Sequence, residues 1–196
     1  MSKTLIGCGA VALGLILLVG LVVGGVYNRL VGLEESVDAA WGQVENVYQR
    51  RADLIPNLVA TVKGAANFEQ ETLQNVIEAR AKVGQMNIEG APDPAQIAQF
   101  QANQDALSSA LSRLLVVVER YPELKAVQGF RDLQVQLEGT ENRIAVERRR
   151  FNEVARDYNT ARRRFPAVLF ANLMGFSEKG YFEAKPGADE PPQVEF

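Results

Sequence analysis

Histidine is absent from this chain, and Cys8 is its only cysteine. Those two absences exclude histidine-based acid–base catalysis, Cys–His dyads, zinc sites built from cysteine and histidine, and internal disulfides. With one thiol, cysteine usage carries no information about redox compartment. A basic excess is also missing: the formal net charge is −3, which argues against a general nucleic-acid footprint. Acidic side chains are plentiful, so carboxylate chemistry survives on composition. It needs a concave site, however, and helical periodicity alone does not supply one.

Charge is wholly missing from one long stretch, Leu5 to Val26. At about 1.5 Å per residue this run reaches about 33 Å as a helix, enough for a hydrocarbon core of roughly 30 Å. It is too long for the apolar core of a secretory signal, and Val23-Gly24-Gly25 makes only a weak cleavage site. We expect one uncleaved transmembrane helix over residues 5–26, after a short segment 1–4. Cys8 within Leu5-Ile6-Gly7-Cys8 superficially resembles a lipoprotein signal, but there the apolar run precedes the cysteine and here it follows. A small apolar anchor residue is the better reading. The anchor glycines, with Gly20 and Gly24 four apart, suit close helix approach and self-association.

Tyr27 and Arg29 follow at the expected membrane interface. Orientation rests on a thin charge difference. Lys3 and the α-amine stand on one side and Arg29 on the other, which leans the body to the extracytoplasmic side.

Beyond Tyr27 the apolar residues fall into threes and fours without a breaker: Leu30, Leu33, Val37, Trp41, Val44, Leu54, Leu58 and Val62. That spacing predicts a long amphipathic helix continuous with the anchor. Trp41 lies too far along it to sit in the interface and is expected in the core. Pro56 is expected to kink the helix near Arg51 and Ala52, as a packing feature rather than a hinge. A second helix is predicted from about Phe68 to Val83. A Gly/Pro-rich loop follows over 84–94, with Asp93 as a cap, and then a third helix from Ala95 to Arg120. A fourth is predicted as one rod from Pro122 to about Arg164, with Val127 on its inward stripe and Gly139 as a weak point. Residues 166–176 read as a brief apolar helix ending at Gly175, and the end from Lys185 as disordered. No stretch alternates with period two for long. The expected fold is all-α: a transmembrane helix continuous with a long-helix, antiparallel four-helix-type bundle over residues 27–176, then a C-terminal tail over 177–196.

Two charge groups invite a functional reading. On the first helix Arg51 falls on the apolar stripe beside Asp53, which predicts a buried cross-helix ion pair with a carboxylate such as Glu141, or an interaction site. On the fourth, Arg143–Glu147 and Arg149–Glu153 are spaced to pair along the helix surface. Arg162-Arg163-Arg164 suits the C-terminal end of the helix dipole, or contact with anionic lipid.

Several blocks of the chain, taken in order, resemble the LemA family of bacterial membrane proteins. They include Tyr27-Asn28-Arg29-Leu30-Val31, Trp41, the run from Arg50 through Ile55-Pro56-Asn57 to Val59, and Val62-Lys63-Gly64. Glu78-Ala79-Arg80, Arg120-Tyr121-Pro122-Glu123-Leu124-Lys125, and Leu137 through Gly139-Thr140-Glu141-Asn142-Arg143 to Ala145 continue the match. Phe151-Asn152, Tyr158-Asn159-Thr160, Phe165-Pro166, Gly175-Phe176 and Tyr181-Phe182 complete it; Phe151 departs from the family's usual tyrosine, a change that packing rather than chemistry would feel. The resemblance implies a single-pass protein of the bacterial cytoplasmic membrane with a helical bundle and no assigned catalytic position. No catalytic, cofactor or metal residue is therefore expected. The leading expectation is a non-enzymatic scaffold or adaptor whose partners are the bilayer, further copies of itself and other membrane proteins, without nucleic acid or a small-molecule substrate. A second reading is a membrane-remodelling protein that assembles laterally into an array. A third is a carboxylate-dependent enzyme using Glu141 or Asp53.

Overall fold

A computed structural model describes residues 2–64, 68–86, 88 and 90–184 of the chain. Helix α1 runs from Ser2 to Lys63, 62 residues without interruption, or about 93 Å. From Val11 through Val22 the described large apolar side chains are exposed all round, Leu21 at 79 %. Such a helix has no protein core to bury its surface and meets the requirements for a membrane span. From Leu30 onward one stripe of the same helix becomes fully buried. The change from anchor to bundle therefore happens within a single rod, as the pattern predicts.

Helix α2 (Gln70–Gly84) turns back along the far half of α1, and α3 (Pro94–Val118) returns in the direction of α1. Asp93 starts α3 as expected: its carboxylate accepts from Gln96 N at 2.8 Å while Gln96 Oε1 accepts from Asp93 N at 2.9 Å, with Pro94 in the first turn. The second helix begins at Gln70 rather than Phe68. Phe68 instead packs its ring on Tyr121, centroids 5.0 Å apart, at the far end of the bundle.

The predicted fourth rod is divided. Val127 adopts an extended conformation (φ −71, ψ 117) between α4 (Pro122–Ala126) and α5 (Gln128–Arg163). One extended residue resets the helical phase, so Leu124 and Phe130 both face the core while Val127, expected inward, is exposed. Helix α5 then runs antiparallel to α1, with Glu141 against Arg51 and Phe151 against Trp41. Beyond Arg163 come turns and a short 3-10 segment, Ala167–Leu169, in place of the brief α-helix expected there. The turn closes at Gly175, whose φ of 86 suits a residue without a β-carbon.

Two apolar clusters form the core. The far one gathers Ile55, Leu58 and Val62 with Leu73, Val76, Leu107, Leu114 and Phe130. The near one, on the anchor side, gathers Leu30, Val37, Trp41 and Val44 with Phe100, Phe151, Tyr158, Phe176 and Phe182. Trp41 is in that core, its ring 5.1 Å from Phe100 and 5.6 Å from Phe151. Helix α2 covers only the far half. In the near half the fourth element is segment 177–184, expected from the sequence to be tail. Its Phe182 is buried among Trp41, Phe100 and Phe151. The portion from Lys185, expected to be disordered, lies outside the described residues.

Candidate functional site

Between the two cores lies a polar layer centred on Arg51. The heptad-like stripe of α1 carries this residue inward, and its side chain is only 3 % exposed. Its Nη1 donates to Ser108 Oγ at 2.9 Å and to Glu141 Oε2 at 3.0 Å. Its Nη2 donates to the carbonyl of Gln104 at 3.3 Å and to the Oε1 of the same residue. The guanidinium also lies over the Tyr48 ring, 5.1 Å from the centroid. Burial, with the charge of Glu141 and Asp105 adding to it, pushes the Tyr48 phenol above its ordinary value; Arg148 and Arg51 act the other way.

This layer joins three helices through one cation. Glu141 is half exposed and borders a cleft of about 270 Å³ lined further by Ser108, Leu111, Ser112, Leu115 and Leu137. The other residues named from the sequence fall elsewhere. Asp53 is exposed and accepts a bond from Gln49 one turn earlier, at 2.8 Å. Arg143 is exposed and forms no ion pair among the described residues. Tyr27 is 46 % exposed at the mouth of the bundle, edge-on to Phe176 at 5.6 Å, and Arg29 is exposed beside it. Chemically, a guanidinium held by neutral oxygens and one carboxylate ties its neighbours together with a fixed fork of donors. It fixes helix register.

The surface pairs Arg143–Glu147 and Arg149–Glu153 do not form among the described residues. Between them Arg148 turns instead to the carbonyl of Glu183, at 2.9 Å, and over the Phe182 ring, 4.6 Å from its centroid. Solvated i,i+4 pairs are worth only about 0.2–0.5 kcal/mol each, so little is lost when they do not form.

That segment is held by a device the periodicity did not reveal: amide side chains that grip its backbone on both sides. Asn159, fully buried, donates Nδ2 to the Lys179 carbonyl at 2.8 Å and accepts from Lys179 N at 3.0 Å. Asn152 does the same to Phe182, at 2.8 and 2.9 Å, and Gln101 to Glu183, at 3.2 and 3.0 Å. Lys179 meets Glu34 of α1 at 2.8 Å, and Tyr158 donates its hydroxyl to the Ser177 carbonyl at 2.9 Å. Burial, reinforced by the Glu34 charge, pushes the Tyr158 phenol far above its ordinary value. Gly180 lies so close to α3 that a β-carbon there would stand 2.5 Å from Ile97 Cγ2 and 2.9 Å from the Asp93 carbonyl. The sequence signal was available in part: Asn152 and Asn159 interrupt an otherwise charged helix seven apart, on its buried face.

A second unforeseen link begins at Pro56. Proline lacks an N–H, so the carbonyl four residues earlier, on Ala52, loses its helical partner. Arg80 of α2 supplies one, Nε donating to Ala52 O at 3.0 Å. The carbonyl that Pro56 frees, within the stretch where a kink was expected, thereby becomes a docking point for α2.

Taken together, an apolar helix able to cross a membrane and a bundle threaded on its continuation define a membrane-associated helical protein. The LemA family model matches residues 40–196. The chain belongs to the LemA family. It is 27 % identical over 190 residues to Magnetosome protein MamQ of Magnetospirillum gryphiswaldense, covering 86 % of this chain and 70 % of that protein. To Magnetosome protein MamQ 2 of Paramagnetospirillum magneticum it is 27 % identical over 184 residues, 84 % of this chain and 67 % of the relative. Protein LemA of Metamycoplasma hominis is 24 % identical over 133 residues, 68 % and 58 % respectively. Neither name denotes an enzyme.

Proposed function

We propose that this protein is a non-enzymatic scaffold or adaptor that holds a rigid helical bundle against a membrane and binds further copies of itself or other membrane proteins. One observation carries the reading. The residues of α1 that would lie in lipid and those that form the bundle core belong to one uninterrupted helix. A linker would let the bundle tumble; a continuous helix sets its height and angle, which serves presentation to partners. Arg51 supports the same reading, because both of its terminal nitrogens are engaged in bonds that hold α1, α3 and α5 in register. Purification of the full chain from native membrane in mild detergent, followed by mass measurement and identification of co-purifying proteins, tests this. Recovery of a defined oligomer or a stoichiometric partner is expected. A bare monomer, at concentrations found in the membrane, would overturn it.

The second reading is lateral assembly into an array that shapes the bilayer. Relatives named as magnetosome proteins favour it, as do the glycines at 14, 20, 24 and 25, each with open space around it on the anchor. Crosslinking within vesicles separates the two: an array yields a ladder of products beyond a dimer, an adaptor does not.

We place the protein in the bacterial cytoplasmic membrane, crossing it once with the bundle on the outer side. A C-terminal reporter active on only one side of that membrane decides the orientation.

A further inference from the structure

The turn between α5 and the clamped C-terminal segment has its apolar side chains arranged in reverse. Its small residues, Ala167 and Ala171, point into the near core, with Met174 packed beside them, whereas four of its large ones point out: Phe165 is 80 % exposed, Leu169 62 %, Val168 48 % and Leu173 87 %. A water-facing turn would show the opposite arrangement. An exposed patch of this kind marks a surface that is covered in use.

Its position identifies the cover. The antiparallel register of α1 and α5, with Arg51 opposite Glu141 and Trp41 opposite Phe151, brings the end of α5 level with Tyr27. Contacts agree: Phe176 meets the Tyr27 ring at 5.6 Å, and Val26 and Val31 pack against the cluster holding Ala161, Ala167 and Ala171. Tyr27 is where α1 leaves its apolar run. The turn therefore sits beside the point at which that helix emerges from lipid.

The backbone of the turn is equipped for such a setting. Val168 N bonds to Arg164 O at 3.0 Å, Ala171 N to Ala167 O at 2.8 Å, Met174 N to Phe170 O at 2.9 Å and Phe176 N to Ala171 O at 3.0 Å. Amides satisfied internally are what an apolar medium demands. Arg162 locks the shape, donating Nε to the Phe176 carbonyl at 2.9 Å and Nη2 to Asn172 Oδ1 at 2.6 Å. Arg163 and Arg164 stay exposed at its edge, as does Arg29 on α1, where cations meet anionic headgroups.

We propose that residues 163–174 form a second membrane contact: Phe165, Val168, Leu169 and Leu173 enter the outer part of the same bilayer that α1 crosses, and Arg163 and Arg164 meet its anionic headgroups. The bundle is then fixed to the membrane at two points and cannot swivel about α1. This rests on α1 spanning the bilayer.

The test uses the full chain with Cys8→Ser and single nitroxide-labelled cysteines, reconstituted in vesicles of phosphatidylcholine and phosphatidylglycerol. Leu169→Cys and Leu173→Cys probe the turn, Leu17→Cys the spanning helix, and Val135→Cys an exposed site at the far end of α5. Labels at 169 and 173 are expected to be relaxed more by oxygen than by a water-soluble nickel chelate, as at 17, with the reverse at 135. Arg163→Gln with Arg164→Gln is expected to shift the turn labels towards the aqueous reading. Labels at 169 and 173 that match 135 while 17 reads as lipid overturn the proposal alone. An aqueous reading at 17 overturns the spanning helix as well. Labels at 169 and 173 shielded from both reagents reject lipid as the cover and point to a protein.

Discussion

Replacing Arg80 by methionine asks whether the bond between α2 and α1 depends on the proline that created its acceptor. In the native chain the change strips Ala52 O of the donor that Arg80 Nε supplies at 3.0 Å. The contact is half-buried, and a lost bond from a charged donor costs about 1.5–3 kcal/mol when dry, so about 1–2 kcal/mol is expected here. In a Pro56→Ala background the new N–H at position 56 can serve Ala52 O within the helix. The same Arg80→Met change should then cost at least about 1 kcal/mol less, a coupling well above the few tenths expected of independent sites. Urea unfolding of the full chain in detergent, followed by the fluorescence of Trp41, provides the measurement. That tryptophan is unique and 2 % exposed, so it reports loss of the near core. Equal costs for Arg80→Met in the two backgrounds would refute the idea that proline-freed carbonyl and arginine form one unit.

Other outcomes follow from the remaining contacts. Glu141→Gln should destabilise by about 1–2 kcal/mol, below the roughly 3–5 expected of a fully buried pair because Glu141 is half exposed. Adding Arg51→Met should cost less than the sum of the two single changes in the same denaturation assay. Asn159→Leu leaves both backbone groups of Lys179 unpaired, at about 2–4 kcal/mol for the two together. Hydrogen exchange should show residues 177–184 losing protection before α5 does. The phenols of Tyr48 and Tyr158 are raised in the folded state, so the stability they contribute is present below about pH 10 and is lost as pH climbs through their folded values. Tyr158→Phe should flatten that alkaline decline in melting temperature, and an unchanged slope would count against the buried phenol. Gly139 is exposed with open space where a β-carbon would stand. Gly139→Ala should therefore add about 0.5–1 kcal/mol, seen as a rise of about 2–4 °C in melting temperature.

The features that periodicity can encode were legible. The uncharged run, the apolar stripe of α1 beyond Tyr27, the Asp93 cap and the inward placement of Trp41 and Arg51 all follow from which face of a helix each residue must occupy. Val127 shows where that reasoning stops. Its spacing fitted the inward stripe of an unbroken rod, yet one extended residue there lets Leu124 and Phe130 share the core. Spacing cannot register a change of phase of that kind.

By itself the amino-acid order determined that this is an all-helical protein with one membrane-length apolar rod leading into an amphipathic one, because local hydrophobic pattern depends only on neighbours along the chain. Tertiary structure decided what fills the fourth side of the near core and which turn leaves large apolar side chains uncovered. An extended segment gripped by Asn152, Asn159 and Gln101 carries no period of its own. The exposure of Phe165 and Leu173 exists only once α5 has folded back along α1. Both depend on contacts between residues far apart in sequence.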